Sequence, residues 1–189
     1  MKEFEYKFLT NEKSFFNILD SYIKKYKYNT EVKINYYYDT DKYFLNDNNI
    51  TLRIVQLKNK LYLQQKTKLL CNTYTESEES EKKIINSIPE NVYLQKLNCT
   101  ASLLGCLVTH RRTINYSENI QIMFDENYYL GNTDYEIEIE YLGNIEEQEI
   151  DKIVCSLENS KLSKNGKYSR FLAVKKRTKN LLRFQEVDN

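Results

Sequence analysis

The chain opens on an alternation. Over Met1–Leu9, Glu3, Glu5 and Lys7 occupy one parity, and Phe4, Tyr6 and Phe8 the other. Successive side chains of a β-strand point to opposite faces, so this stretch predicts a strand with one charged and one aromatic face. The device returns over Tyr135–Tyr141, where Glu136, Glu138 and Glu140 share one parity and Tyr135, Ile137, Ile139 and Tyr141 the other. Val32–Thr40, Ile50–Leu57, Tyr62–Leu69, Cys106–Tyr116 and Ile120–Asp125 read as further strands, rich in β-branched and aromatic residues. Asn46–Asn49, Leu57–Leu61 and Gly131–Asp134 supply turns between them. Asp39 reads as a strand-ending turn residue, with a ligand role as the alternative.

Helical periods are fewer. Phe15, Ile18, Leu19, Tyr22, Ile23 and Tyr26 form one apolar stripe, with Thr10 or Asn11 placed to cap it. Ile145–Leu157 carries a second stripe through Ile150, Ile153, Val154 and Leu157, with Glu146, Glu147 and Glu149 suiting its N-terminal dipole. Ser80–Ile88 and Glu90–Leu97 read as short helices broken by Pro89, and Thr100–Leu104 as a helical turn ending near Gly105. Striped helices must pack on the apolar face of the sheet. If the sheet curls closed, its charged face then lines an interior. The expectation is an α+β, mainly β, protein: an antiparallel barrel of about eight strands with helices packed outside.

Charge sign is sorted by strand. Between the two acidic strands lie basic ones, bearing Arg53, then Lys66 and Lys68, then Arg111. A solubilising surface intersperses both signs, and three carboxylates two residues apart repel one another unless cations lie between them. The pattern predicts metal cations held on carboxylates beside a polyanion held on Lys and Arg.

Composition narrows the chemistry. Lys and Arg total 28 against 27 Asp and Glu, so no global field draws in nucleic acid, and no nucleic-acid partner is expected. His110 is the sole histidine, which excludes a multi-histidine metal site and disfavours a histidine triad. Any ligand set is therefore mostly oxygen, pointing to Mg²⁺ or Mn²⁺. Cys71, Cys99, Cys106 and Cys155 show no metal-like spacing. With no secretory segment and no apolar run of membrane-spanning length, a cytoplasmic protein without membrane partners is expected, as monomer or homodimer. The sequence reads as one domain over residues 1–175, followed by a basic tail over 176–189.

Glu3-x-Glu5-x-Lys7, Tyr38-Asp39-Thr40, Leu52-Arg53-Ile54, Lys66-Thr67-Lys68, the Arg111 strand, Glu136-Ile137-Glu138-Ile139-Glu140 and Lys167-Tyr168-Ser169-Arg170 occur in that order. In this the chain resembles the CYTH superfamily, the triphosphate tunnel metalloenzymes, through to about Arg170. The resemblance implies an eight-stranded tunnel and metal-dependent hydrolysis of a triphosphate, inorganic triphosphate first, thiamine or nucleoside triphosphate next. Glu3, Glu5, Glu136, Glu138 and Glu140 become the candidate metal ligands. Lys7, Arg53, Lys66, Lys68, Arg111, Lys167 and Arg170 become the triphosphate-binding cations, with Glu5, Lys7 and Glu138 closest to catalysis. Glu76 or Glu78 is a further candidate ligand. Val55, Thr109 and Gly166 depart from the family pattern, the first two by removing positive charge. The alternatives are a class IV-type adenylate cyclase making cyclic AMP from ATP, and a non-catalytic polyphosphate- or nucleotide-binding module.

Overall fold

The structure, a computed structural model, describes residues 3–69, 76–79, 83–142 and 147–187; side chains at 3, 68, 69, 76–79, 142, 147 and 179–187 lie outside the description. The opening alternation forms β1 (Glu3–Thr10), and Asn11 then caps α1 (Glu12–Ile23), accepting from the Ser14 amide at 2.9 Å. β2 (Tyr28–Asp39), the short α2 (Phe44–Asp47), β3 (Ile50–Leu57) and β4 (Lys60–Leu69) follow. β5 (Glu76–Glu79), β6 (Lys83–Ile85) and β7 (Asn91–Leu94) are brief; β8 (Cys99–Asn115), β9 (Ile120–Tyr129) and β10 (Asn132–Leu142) are long. The chain ends with α3 (Glu147–Cys155), β11 (Lys161–Leu162) and α4 (Lys167–Val187).

The described strands make one sheet in the order β11-β1-β10-β9-β8-β2-β3-β4-β5, with β6 beside β4 and β7 beside β8. Every ladder is antiparallel. Eight strands of this path, β1 to β5 and β8 to β10, are the expected tunnel wall; β6, β7 and β11 are additions to it. The sheet curls until β5 comes alongside β1, with Cα atoms within 8 Å, although no ladder joins the two among the described residues.

β10 shows how the curl disposes of charge. Ile137 and Ile139 are fully buried on its outer face, packed with Phe15, Ile18, Leu19 and Tyr22 of α1 and Ile150 and Ile153 of α3. Phe15 meets Phe124 edge-on at 5.8 Å between ring centres. On the other face Glu136 and Glu138 are also buried, at 0% and 4% exposure. A strand buried on both faces, one apolar and one anionic, places the anionic face in an interior. A second outer core forms around Tyr38, Leu45, Leu52, Ile54 and Ala101.

The interval expected to hold helices is different. Lys83–Ile85 and Asn91–Leu94 are strands, and Thr100–Leu104 belongs to β8. Ile84 and Ile85 pair with Tyr62 and Leu61 of β4, and Val92 with Ala101 of β8. Free sheet edges captured segments whose isoleucine spacing resembled a helical stripe. The basic stretch after Lys175 continues α4 as far as Val187. No helix among the described residues is long and apolar enough to cross a membrane.

Candidate active site

Antiparallel register aligns the acidic and basic residues of the interior. Across β1 and β10, Glu5 faces Glu140 and Lys7 faces Glu138. Across β10 and β9, Glu138 faces Met123 and Glu136 faces Asp125; across β9 and β8, Asp125 faces Arg111. Arg111 grips Asp125 with two prongs, Nε to Oδ1 at 2.7 Å and Nη2 to Oδ2 at 2.6 Å, and Nη2 also meets Glu138 Oε2. Lys7 pairs with Glu5.

The remaining cations of this wall come from the first turn of α4. The Lys167 ammonium sits among Glu136 Oε2 at 2.5 Å, Glu138 Oε1 at 2.7 Å and Asp125 Oδ2 at 2.8 Å. Arg170 donates from Nε to Asp134 Oδ2 at 2.8 Å and from Nη2 to Glu136 Oε2 at 3.0 Å. Tyr168, Phe171 and Leu172 pack on the interior residues Tyr37, Leu107 and Tyr129, so the start of α4 covers the lumen at this level. On the facing wall, Arg53 bonds Gln64 Oε1 through Nε at 3.0 Å and Nη2 at 2.7 Å, and Asn35 through Nη1 at 3.3 Å. Lys66 is half-buried on β4 and paired in register with Thr51.

Electrostatics ties the walls together. Burial raises the Tyr37 hydroxyl, and the charges of Arg53, Lys167 and Arg170 only partly offset the rise. Burial pushes the Glu138 carboxyl up, but Lys167, Arg111 and Lys7 outweigh it and hold the group well below the usual carboxylate range. For Lys167 burial favours the neutral amine, yet Asp125, Glu136 and Glu138 override it and keep the ammonium charged well beyond its ordinary range. Asp134 is likewise held low: desolvation opposes ionisation, and Arg170 overcomes it.

Among the described residues, two carboxylate trios meet the distance requirement for a cation. Oxygens of Glu5, Glu138 and Glu140 lie within 4.8 Å of one another, as do those of Asp125, Glu136 and Glu138. Lys167 already contacts every member of the second trio. The first is an all-oxygen set that fits Mg²⁺ or Mn²⁺.

Of the residues read from sequence, Glu5, Lys7, Arg111, Glu136, Glu138, Glu140, Lys167 and Arg170 come together here, with Arg53 and Lys66 on the other side of the lumen. Glu3 takes the next register position, opposite Leu142. Lys68, Glu76 and Glu78 are placed by backbone register only, opposite Ser77, Leu69 and Thr67, and their side chains, like that of Glu3, are outside the description. Sequence reading missed Asp125, Asp134, Gln64 and Asn35. Asp125 continues the parity of Met123 and Asn127, which was the available signal. Thr109, where a lysine is more usual, donates to Asn127 Oδ1 at 2.7 Å, and Asn127 donates to Asp134 at 2.9 Å. His110 lies on the outer face, with Nδ1 3.4 Å from Glu126.

An antiparallel tunnel whose lumen sets carboxylates against Lys and Arg defines a class of protein. The sequence profile of the CYTH domain matches residues 1–172, and the chain belongs to that family. Solved structures agree in fold. A Hippeastrum adenylyl cyclase candidate, described as revealing a dominant triphosphatase activity, is 19% identical with a TM-score of 0.70, over 90% of this chain and 95% of that one. A candidate adenylate cyclase from Bacillus halodurans is 21% identical with a TM-score of 0.66, over 90% and 99%. The Mimivirus capping enzyme triphosphatase is 10% identical with a TM-score of 0.58, over 84% and 90%. No curated protein matches the chain.

Proposed function

We propose that this chain is a divalent-metal-dependent triphosphatase acting on a linear triphosphate, inorganic triphosphate first. One observation carries the reading. Glu138 is shared between two kinds of neighbour: its carboxylate groups with those of Glu5 and Glu140, and it pairs with the cations Arg111 and Lys167. A metal triphosphate has the complementary pattern, a hard cation attached to a chain of anionic oxygens.

Glu5, Glu138 and Glu140 would hold Mg²⁺ or Mn²⁺. When bound, such a cation neutralises phosphate oxygens and lowers the pKa of a coordinated water. The chain's own part is positioning and charge. Lys7, Arg111, Lys167 and Arg170 bind phosphoryl oxygens from one wall, and Arg53 with Lys66 binds them from the other. The arginine forks take two oxygens each, and the lysines act as point charges. Negative charge spreads over the transferring phosphoryl group as its bond to the leaving oxygen lengthens. Prealigned cations stabilise that charge without reorganising. Carboxylate partners hold Lys7, Arg111, Lys167 and Arg170 in place before substrate arrives, and Gln64 and Asn35 do so for Arg53. No covalent intermediate is required.

The test is phosphate release from inorganic triphosphate, ATP and thiamine triphosphate with Mg²⁺ or Mn²⁺, with Glu5→Gln alongside. The expected result is metal-dependent release that falls by at least about 100-fold in the variant, the scale of losing a group needed in the transition state. Cyclic AMP from ATP in place of orthophosphate would identify a cyclase. Triphosphate binding without turnover would identify a binding module.

A further inference from the structure

The two cations that complete the acidic wall come from a helix, not from the sheet. Lys167 and Arg170 lie in the opening turn of α4, whereas Lys7, Arg53, Lys66 and Arg111 are on strands fixed by ladders. The first turn of a helix lacks intrahelical partners for its N–H groups and has little to fix it on its own. Contacts outside the helix must determine where these two side chains emerge.

Tyr168 supplies such a contact. Its ring is buried 4.9 Å from that of Tyr37, and its hydroxyl donates to Asp39 Oδ2 at 2.7 Å. Asp39 is 0% exposed and accepts three more bonds. Its Oδ1 accepts from the amides of Thr40 at 2.7 Å and Leu45 at 2.8 Å, and its Oδ2 from the amide of Asn46 at 3.0 Å. An ionised carboxylate offers about four lone-pair sites, and these four donors use them. Asp39 is thereby committed to joining β2, α2 and α4, which leaves it no role as a ligand. Burial and the bond to Asp39 both raise the Tyr168 hydroxyl, keeping it a donor.

We propose that Asp39 and Tyr168 are a positioning pair: their hydrogen bond sets the first turn of α4 so that Lys167 and Arg170 reach the triphosphate. The inference rests on the triphosphatase reading and adds to it the device that aligns two of its cations. Neither residue touches substrate.

Tyr168→Phe removes one oxygen and keeps the ring. With Mg²⁺ and inorganic triphosphate, KM should rise roughly five- to tenfold with kcat within about twofold, the signature of weakened uniform binding. In a Lys167→Met, Arg170→Met background, the same substitution should leave KM unchanged, because the groups it acts through are gone. Asp39→Asn should reproduce the KM effect if it folds; Tyr168→Phe does not depend on that outcome. A wild type that turns over triphosphate beside a Tyr168→Phe variant with unaltered KM overturns the pairing alone. So does an effect that persists in full in the double-methionine background, since that marks a general structural role. A wild type that neither binds nor hydrolyses triphosphate removes the functional reading and this inference with it.

Discussion

Arg111 and Asp125 face each other as register partners on β8 and β9, joined by two bonds of 2.7 and 2.6 Å, with Asp125 fully buried. Each is also shared: Arg111 meets Glu138, and Asp125 meets Lys167. A buried pair broken from one side leaves an uncompensated charge. Arg111→Met should therefore destabilise the apo protein by about 3–5 kcal/mol in urea unfolding. Asp125→Asn should be milder, because Arg111 keeps Glu138 and the amide keeps an acceptor. Combining the two should cost less than the sum, since the double variant removes both charges.

The acid limb of stability follows from carboxyls held low. Glu138 and Asp134 have folded-state pKa values below those of free carboxyls. Their contribution is full above the unfolded carboxyl range, about pH 4–5, and drains away as pH falls toward the folded values. Lys167 runs the other way: its raised value gives stability that is full below the ordinary lysine pKa of about 10.4 and is lost as pH rises beyond it. Chemical unfolding of the metal-free protein should show a plateau between these limits. Asp134→Asn should lower the plateau and make the acid limb shallower; an unchanged acid limb would count against the Arg170–Asp134 pair as its source.

Gly105 lets β8 pass close to the Phe171 ring of α4. Its φ is +142°, and a Cβ built there would lie 3.1 Å from Phe171 Cζ. Phe171 is fully buried, so its ring has little room to retreat. Gly105→Ala combines backbone strain with overpacking and should destabilise by about 1–3 kcal/mol. Because Phe171 neighbours Arg170, amide exchange in the first turn of α4 should quicken more than in β9 or β10, which hydrogen-exchange mass spectrometry would resolve.

Parity made much of the lumen legible in the sequence. Glu5, Lys7, Glu138 and Glu140 stand in strands whose alternation is unambiguous, and the stripe of α1 indicated which face must be outside. Asp125 escaped because Ile120–Asp125 reads as a strand ending at its aspartate, whereas β9 continues to Tyr129. Only the cross-strand register sets that aspartate against Arg111. Arg170 was marked by family resemblance, but its partner Asp134 looked like part of a turn. The short strands after β5 were misjudged for a related reason: three or four residues on a sheet edge draw their conformation from the neighbouring strand, not from their own period.

The Asp125, Glu136 and Glu138 trio has a consequence for the order in which the molecule is made. These anions leave the ribosome well before Lys167 and Arg170, so a growing chain that reaches only α3 presents the trio with Arg111 and Lys7 as its nearby cations among the described residues, and without Lys167. Self-repulsion along β10 then works against early completion of the wall. The ladder between β1 and β10 joins segments from opposite ends of the domain, the long-range closure that forms slowly. Arrival of α4 supplies the missing charge, which makes its docking the natural completing step of this wall in co-translational folding.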